Sequence, residues 1–245
     1  MKEGNIIYGF HPVLEALESE TEITKIWVSN QGDFSKLGGL IKIADARKIP
    51  VSKVPTVKLN KISTQNHQGV IAQVSPVKYW ELDVLIAKAF RDQEHPVFIF
   101  LDGVTDTRNL GGIARSAACM GVSGIILPLQ GSAGVTQDTV KTSAGAILKL
   151  PIARVDNIKL AAHTLLAEGF QLISITEKAE EEIHAIDFKA ATVVIFGGEE
   201  KGINNALLKL STQQGKIPMD GGVSSLNVSV AVGITAYEIR QQRNL

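Results

Sequence analysis

A two-part α/β protein is the fold class this sequence predicts, with a small α/β unit followed by a larger one built on a parallel sheet. Three observations carry that reading. Residues 96–245 hold six short, nearly all-apolar runs with helical patterns between them, the alternation expected of a parallel sheet covered on both faces. Residues 1–76 alternate shorter apolar runs with amphipathic segments and close at Pro76. The chain has 245 residues, 44% hydrophobic and 20% charged, which suits one large globular domain or two ordinary ones.

In the first unit, Ile26 to Val28, Val51 to Val54 and Gly69 to Val74 read as strands, and Val13 to Leu17 and Leu37 to Ala46 as helices. Glu81 to Arg91 reads as a helix with Leu82, Leu85, Ile86 and Ala89 on one face, ended by His95-Pro96. The joint between domains is expected there, with 77–95 as linker. Strands are then predicted at Val97–Leu101, Gly124–Leu127, Leu150–Val155, Phe170–Ile175, Thr192–Phe196 and Lys216–Met219. Helices are predicted between them at Asn109–Met120, Val135–Leu148, Asn157–Glu168 and Asn204–Leu210. The last segment, Leu226 to Ile239, is apolar around most of a helix circumference, so it must be buried on more than one side. A second copy of the chain is the natural cover. Glu180 to Glu182 reads as a solvated face.

Composition excludes several classes. No apolar run has the length of a membrane span, and the N-terminal twenty residues lack a signal-peptide core. The single cysteine, Cys119, rules out an internal disulfide and a thiolate metal cage. A reducing cytoplasm fits, and Cys119 itself reads as helix core. Twenty-five basic residues balance 25 acidic ones, so charge alone advertises no nucleic-acid partner. Residues 1–78 carry 10 basic and 7 acidic side chains, a small excess of +3 that includes Lys25, Lys53, Lys58 and Lys61.

In open parallel sheets ligands bind beyond the carboxyl ends of the strands, and three polar, glycine-rich clusters follow predicted strands. They are Asp102 to Arg115, Gly197 to Gly202, and Ile217 to Asn227. None contains a dinucleotide or Walker fingerprint. No set of His, Asp and Glu has metal-ligand spacing, and no Ser/His/Asp order is apparent. Each cluster also has a plain structural reading. Asn109 is as readily a helix cap as a functional group, Arg115 as readily a surface ion pair as a phosphate clamp. Glu199 suits a helix start, and Ser225 and Asn227 suit caps.

Their order and wording weigh against coincidence. Asn-Leu-Gly-Gly-Ile-Ala-Arg (109–115), Phe-Gly-Gly-Glu-Glu-Lys-Gly (196–202) and Ile-Pro-Met…Ser-Ser-Leu-Asn-Val-Ser-Val-Ala (217–231) resemble the three motifs of the SpoU/TrmH RNA ribose methyltransferases. At the front, residues 7–17 and His67-Gln-Gly-Val-Ile-Ala72 resemble the RNA-binding domain of the RlmB-like subgroup. One position departs: Glu200 stands where the family usually has glycine.

The resemblance implies an L30-like RNA-binding domain over 1–76 and a catalytic SPOUT domain over 96–245, a parallel α/β sheet with a C-terminal trefoil knot. It implies a homodimer without membrane attachment. It also implies methyl transfer from S-adenosylmethionine to a ribose 2′-hydroxyl, with a guanosine of 23S rRNA preferred. The alternatives are tRNA, or an RNA-binding relative of weak or redirected activity. Carried over by motif, the catalytic set is Asn109, Arg115, Glu199, Ser225 and Asn227, and the cofactor set is Gly197, Gly202, Ile217 and Leu226, with no metal. Because arginine is effectively never deprotonated, Arg115 is expected to orient the ribose through a phosphate rather than act as base.

Overall fold

The computed structural model describes residues 6–19, 21–31, 34–222 and 225–243. These form two compact units divided between Lys78 and Tyr79.

The first unit runs β1 (Ile6–Tyr8), α1 (Phe10–Glu18), β2 (Ile23–Ser29), α2 (Phe34–Ala46), β3 (Val51–Val54), α3 (Thr56–Ile62) and β4 (Val70–Val74). Its sheet has the order β1-β4-β2-β3; β2 and β3 are parallel, and β4 is antiparallel to both β1 and β2. Period-2 alternation sorts the apolar residues. Ile26, Val28, Val70 and Ala72 pack with residues of α1 and α2, while Trp27, Val54 and Ile71 pack with Leu59 and Ile62 of α3. The seven-residue α3 is too short to stand out as a periodic pattern, and the sequence reading omits it.

The same alternation separates the four lysines. Lys53 is in register with Val28, on the α1/α2 side, whereas Lys58 and Lys61 are exposed on α3. Lys25 lies over the Trp27 ring, 5.5 Å from its centroid. His67 is buried, its Nε2 2.8 Å from Asn60 Oδ1, while its Nδ1 accepts from the Gly69 N–H at 3.0 Å. Both ring nitrogens therefore shape the turn into β4.

The second unit runs α4 (Leu82–Asp92), β5 (Val97–Asp102), α5 (Thr107–Cys119), β6 (Gly124–Pro128), α6 (Gln137–Thr142), β7 (Ile152–Val155), α7 (Ile158–Ala167), β8 (Gln171–Ile175), β9 (Glu181–Glu182), β10 (Thr192–Gly197), α8 (Asn205–Leu210), β11 (Gln213–Lys216) and α9 (Val228–Gln242). Among the described residues its sheet has seven strands in the order β7-β6-β5-β10-β8-β11-β9, all paired in parallel. Phe98 and Phe100 of β5 are fully buried at its centre, where truncation to alanine costs about 3–5 kcal/mol.

Four expectations are corrected. Residues 79–95 are not linker: Leu85, Ile86 and Ala89 of α4 are buried with Phe98 and Phe100, and the Trp80 N–H donates to Ile152 O at 2.8 Å. The helix expected over 135–148 stops after Thr142, because Ala144 (φ 51°) and Gly145 (φ 82°) turn left-handed before a short 3-10 turn at Ala146–Leu148. The strand expected at 216–219 comes earlier, at the polar Gln213–Lys216; Ile217 and Met219 face a cavity instead. Cys119 is exposed, since the buried stripe of α5 runs through Leu110, Ile113, Ala114 and Ala117.

The end of α9 is fastened by Arg243. Its Nε donates to Phe188 O at 2.8 Å and its Nη2 to Ala190 O at 2.6 Å, with a further bond to His95 O. Half-burial pulls this guanidinium below the usual arginine value.

Candidate active site

The carboxyl ends of β5 and β10 lie side by side, with Gly197 in register with Asp102. The loop that leaves β10 folds back on itself, with Gly202 N donating to Gly198 O at 2.9 Å and Gly202 at φ 63°. A Cβ on Gly197 would overlap the backbone of Gly202 and Ile203, and one on Gly198 the backbone of Gly103. These glycines thus permit close contact between chain segments. Residue 200 is outside the left-handed region, so the backbone there does not require the glycine that the family usually has.

Two further bonds lock this corner. Gly198 N donates to Asp102 O at 2.7 Å, and Asn204 N donates to Asp102 Oδ2 at 2.6 Å. Burial pushes the Asp102 carboxyl above the ordinary aspartate value, partly opposed by that Asn204 bond.

Three motif side chains meet at the corner. Asn109 Nδ2 donates to Glu199 Oε1 at 3.1 Å. Asn227 Nδ2 donates to Asn109 Oδ1 at 3.0 Å and to Glu199 Oε1 at 3.3 Å. The outer two, Asn109 and Asn227, are 118 positions apart in the chain, and no local pattern joins them. Asn109 is not a cap. Asp106 takes that role on α5, accepting from Arg108 N at 2.7 Å, and this bond with the Arg108 side chain holds its carboxyl below the usual range. Asn227 is both cap and node: its Oδ1 accepts from Ser229 N at 2.9 Å and Ser229 Oγ at 2.6 Å. Helices α5 and α9 come close there because Gly112 has no side chain; a Cβ would lie 3.1 Å from Ser229 Cβ.

Two cavities flank the loop 198–202. The smaller, about 390 Å³, contains all four residues expected to hold a cofactor, Gly197, Gly202, Ile217 and Leu226, together with Ser225. Ile175, Phe196 and Met219 complete an apolar wall beside Glu199 and Glu200. The larger, about 940 Å³, opens at the ends of β5, β6, β7 and β10 and includes Asn109 and Glu199. The loop after β6 that lines it is tied at both ends. Arg154 Nη2 donates to Leu129 O at 2.7 Å, its guanidinium lies 5.1 Å from the Tyr79 ring centroid, and Tyr79 Oη accepts from Val135 N at 3.3 Å.

Arg115 is not brought to this node. It is exposed on α5, lines neither cavity, and has no hydrogen-bond or ion-pair partner among the described residues. Sequence reasoning missed Gln130, Asp156, Asn157 and Lys159, which line the larger cavity; their position just after strands of a parallel sheet was the available signal. Among the described residues no group of three or more His, Cys, Asp or Glu could hold a metal, and no helix is long and apolar enough to cross a membrane.

Comparison with known proteins follows the same two-unit division. Residues 96–237 match the SpoU rRNA Methylase family, and residues 6–80 match the RNA 2′-O ribose methyltransferase substrate-binding family. The chain is 36% identical over 241 residues to a tRNA/rRNA methyltransferase of Synechocystis, spanning 98% of this chain and 63% of that protein. It is 31% identical to the Pseudomonas aeruginosa 23S rRNA (guanosine-2′-O-)-methyltransferase RlmB, covering 99% of this chain and 98% of the other. Among solved structures, the AdoMet-bound rRNA methyltransferase of Sinorhizobium meliloti superposes with a TM-score of 0.60 at 27% identity, covering 97% of this chain and 87% of that one.

Proposed function

Since the chain belongs to the SpoU rRNA methylase family, an S-adenosylmethionine-dependent family of RNA 2′-O-methyltransferases, we propose that it methylates the ribose 2′-hydroxyl of a guanosine in 23S rRNA. The observation that carries this reading is the Asn109–Glu199–Asn227 node on the wall between two cavities. End-to-end similarity to RlmB supports the rRNA target. A tRNA target is the second reading, favoured by the mixed tRNA/rRNA name of the Synechocystis relative.

The smaller cavity suits the cofactor on three counts. Its volume lies in the usual range for a small ligand, one side of it is apolar through Ile175, Phe196, Ile217, Met219 and Leu226, and its three carboxylates, Glu177, Glu199 and Glu200, outnumber its two lysines, Lys178 and Lys201, which favours a cationic group. S-adenosylmethionine, when bound, supplies a methyl group on a positively charged sulfur. The chain's own residues then have separate tasks. Ile217 and Leu226 wall the adenine, and the backbone at Gly197 and Gly202 supplies hydrogen bonds. Glu199, fixed by two amides, is an acceptor for the ribose hydroxyl as it loses its proton, and Ser225 stands where the cofactor and ribose meet. Asn109 and Asn227 hold Glu199 in place. Arg115, solvent-facing, takes a neighbouring phosphate and orients the nucleotide from outside the cavities.

Assembly belongs to the same proposal. Val230, Ile234 and Tyr237 are exposed at 47%, 37% and 54% on one stripe of α9, opposite the buried Val232, Ala236 and Ile239. A second copy covers that stripe in a homodimer. The trefoil knot is also included. After β10 the chain builds α8 and β11 beyond β8, then returns at 225–228 to Asn109, a double crossing of the kind a knot needs. Residues 1–78 grip the RNA, with Lys58 and Lys61 neutralising phosphate.

The test is mass spectrometry of nucleosides after incubating the protein and S-adenosylmethionine with unmodified 23S rRNA or tRNA transcripts. Methylation confined to tRNA would refute the rRNA assignment, and none on either RNA would refute the activity.

A further inference from the structure

We propose that the loop after β6, residues 129–135, is a preformed RNA contact that presents Gln130 to the target nucleotide, with Arg154 and Tyr79 as its positioning residues; this rests on the ribose methyl transfer proposed above. Glu199 lines both cavities. With the cofactor in the smaller one, the ribose reaches Glu199 from the larger one, and the groups lining that cavity face the RNA. Gln130 and Gly131 line it and are exposed. The loop leaves β6, two strands from β10 in the sheet order, or about 10 Å at the usual strand spacing, a gap that one nucleoside bridges. A carboxamide both donates and accepts hydrogen bonds, which suits the mixed groups of a base edge or a ribose hydroxyl.

The tip of this loop is pinned on either side. Leu129 N donates to Val155 O at 2.8 Å and Ala133 N to Val104 O at 2.7 Å, and the Ala133 and Val135 side chains are buried. Between the pinned residues stand Gln130, Gly131 and Ser132. Gly131, at φ 73°, makes the turn, and Ser132 Oγ donates to Pro128 O. Two backbone groups of the loop are met by side chains instead. Leu129 O accepts from Arg154 Nη2 at 2.7 Å, and Val135 N donates to Tyr79 Oη at 3.3 Å. Those side chains meet each other in turn, the guanidinium lying 5.1 Å from the ring centroid. One cation–π pair thus joins both ends of the loop.

Both members of the pair stand on rigid backbone. Ala153 and Val155 of β7 enter the core, so period-2 alternation turns Arg154 to the other side of the sheet. Trp80 pairs with Ala153, and its N–H donates to Ile152 O, which lays the chain at Tyr79 along the β7 edge of the sheet. Packing alone does not account for Arg154. Its Nε is buried without an acceptor among the described residues, and an unmatched buried donor weighs against stability. An aliphatic side chain would avoid that cost but could not hold the Leu129 carbonyl. What the arginine supplies is order in the loop. With glycines at 131 and 134, a loose loop would lose much conformational freedom on meeting RNA, and fixing it beforehand improves affinity.

The experiment measures KM for an unmodified 23S rRNA transcript, turnover at saturating RNA, and calorimetric S-adenosylmethionine affinity, all on the whole protein. Gln130→Ala and Arg154→Leu should each raise KM for RNA roughly tenfold. Tyr79→Phe, which keeps the ring and loses only the Oη acceptor, should raise it roughly threefold. Turnover and cofactor affinity should hold in all three. In the Gln130→Ala background Tyr79→Phe should add little, because the two act through one contact. A merely structural role would lower the active fraction, and with it turnover, at unchanged KM. That result overturns the proposal, as does a full effect of Tyr79→Phe in the Gln130→Ala background. Tyr79→Phe decides the matter even where Arg154→Leu fails to fold. Methylation of no RNA refutes methyl transfer. Equilibrium binding of the same transcript then tests the loop by itself: weakening by these changes supports it, and unchanged binding overturns it.

Discussion

Replacing Asn227 separates the two jobs that one side chain performs. Its Oδ1 caps α9 through Ser229, and its Nδ2 joins Asn109 to Glu199. Asn227→Ala loses both. Loss of an N-cap costs about 1 kcal/mol, which lowers Tm by roughly 2–4 °C in a chain of this size. The node bonds lie between exposed groups and add little stability, yet misplacing a reacting group by about 1 Å costs on the order of 100-fold in rate. Asn227→Ser keeps a capping oxygen but cannot span to Glu199. It should melt within about a degree of the parent and still lose about 100-fold in turnover. Asn227→Asp keeps the cap, removes the donor and sets a second carboxylate against Glu199, so it too should be folded and slow. Thermal melts paired with transfer of labelled methyl to 23S rRNA read both quantities. Full turnover in the serine variant would refute the catalytic role of the node. Turnover that merely followed Tm across the three variants would reduce Asn227 to a cap.

Other changes test other parts. Because burial raises the Asp102 pKa, the fold favours its protonated form; that contribution is present below the ordinary aspartate value and lost as pH climbs through the raised one. Asp102→Asn should therefore gain Tm over the parent as pH goes from acid to neutral, and a constant difference would contradict this. Gly198→Ala should abolish cofactor binding, measured calorimetrically, because its Cβ overlaps Gly103. Val230→Asp should shift sedimentation from dimer to monomer, since a buried unpaired charge is costly; an unchanged dimer would place the interface elsewhere. Arg115→Ala should spare S-adenosylmethionine affinity and lower methylation by orders of magnitude, whereas Leu226→Asp should weaken cofactor binding itself. Arg115→Ala losing cofactor with turnover intact would end the phosphate-clamp assignment.

Legibility in the sequence followed the physics of each element. The strands of the parallel sheet are buried on both faces and read as plain apolar runs, so β5, β6, β8 and β10 fall within a residue or two of expectation. The polar β11 gave no such run, and the apolar Ile217 and Met219 drew the expected strand toward a cavity wall. The helix break at Ala144 is a left-handed alanine, invisible to propensity. At the site, motif order brought out the node residues, but only folding showed that Asp106 rather than Asn109 caps α5. It also showed that Arg115 turns to solvent and that a second cavity opens beside the first. That cavity is assembled from the ends of four strands, and no contiguous stretch of chain encodes it.

The dual attachment of Asn227 has a thermodynamic consequence. The helix whose exposed stripe we assign to self-association begins at a residue bonded to Glu199, the group we propose as the proton acceptor. Any free energy that assembly contributes to the position of α9 is shared with the node, and linkage makes the exchange mutual. Ligands that order Glu199 and Asn227 should lower the dissociation constant of the dimer by the same factor by which dimerisation improves their own affinity. Dilution would then act as a negative effector, and apparent affinities measured at nanomolar protein would differ systematically from those measured at the concentrations used for calorimetry.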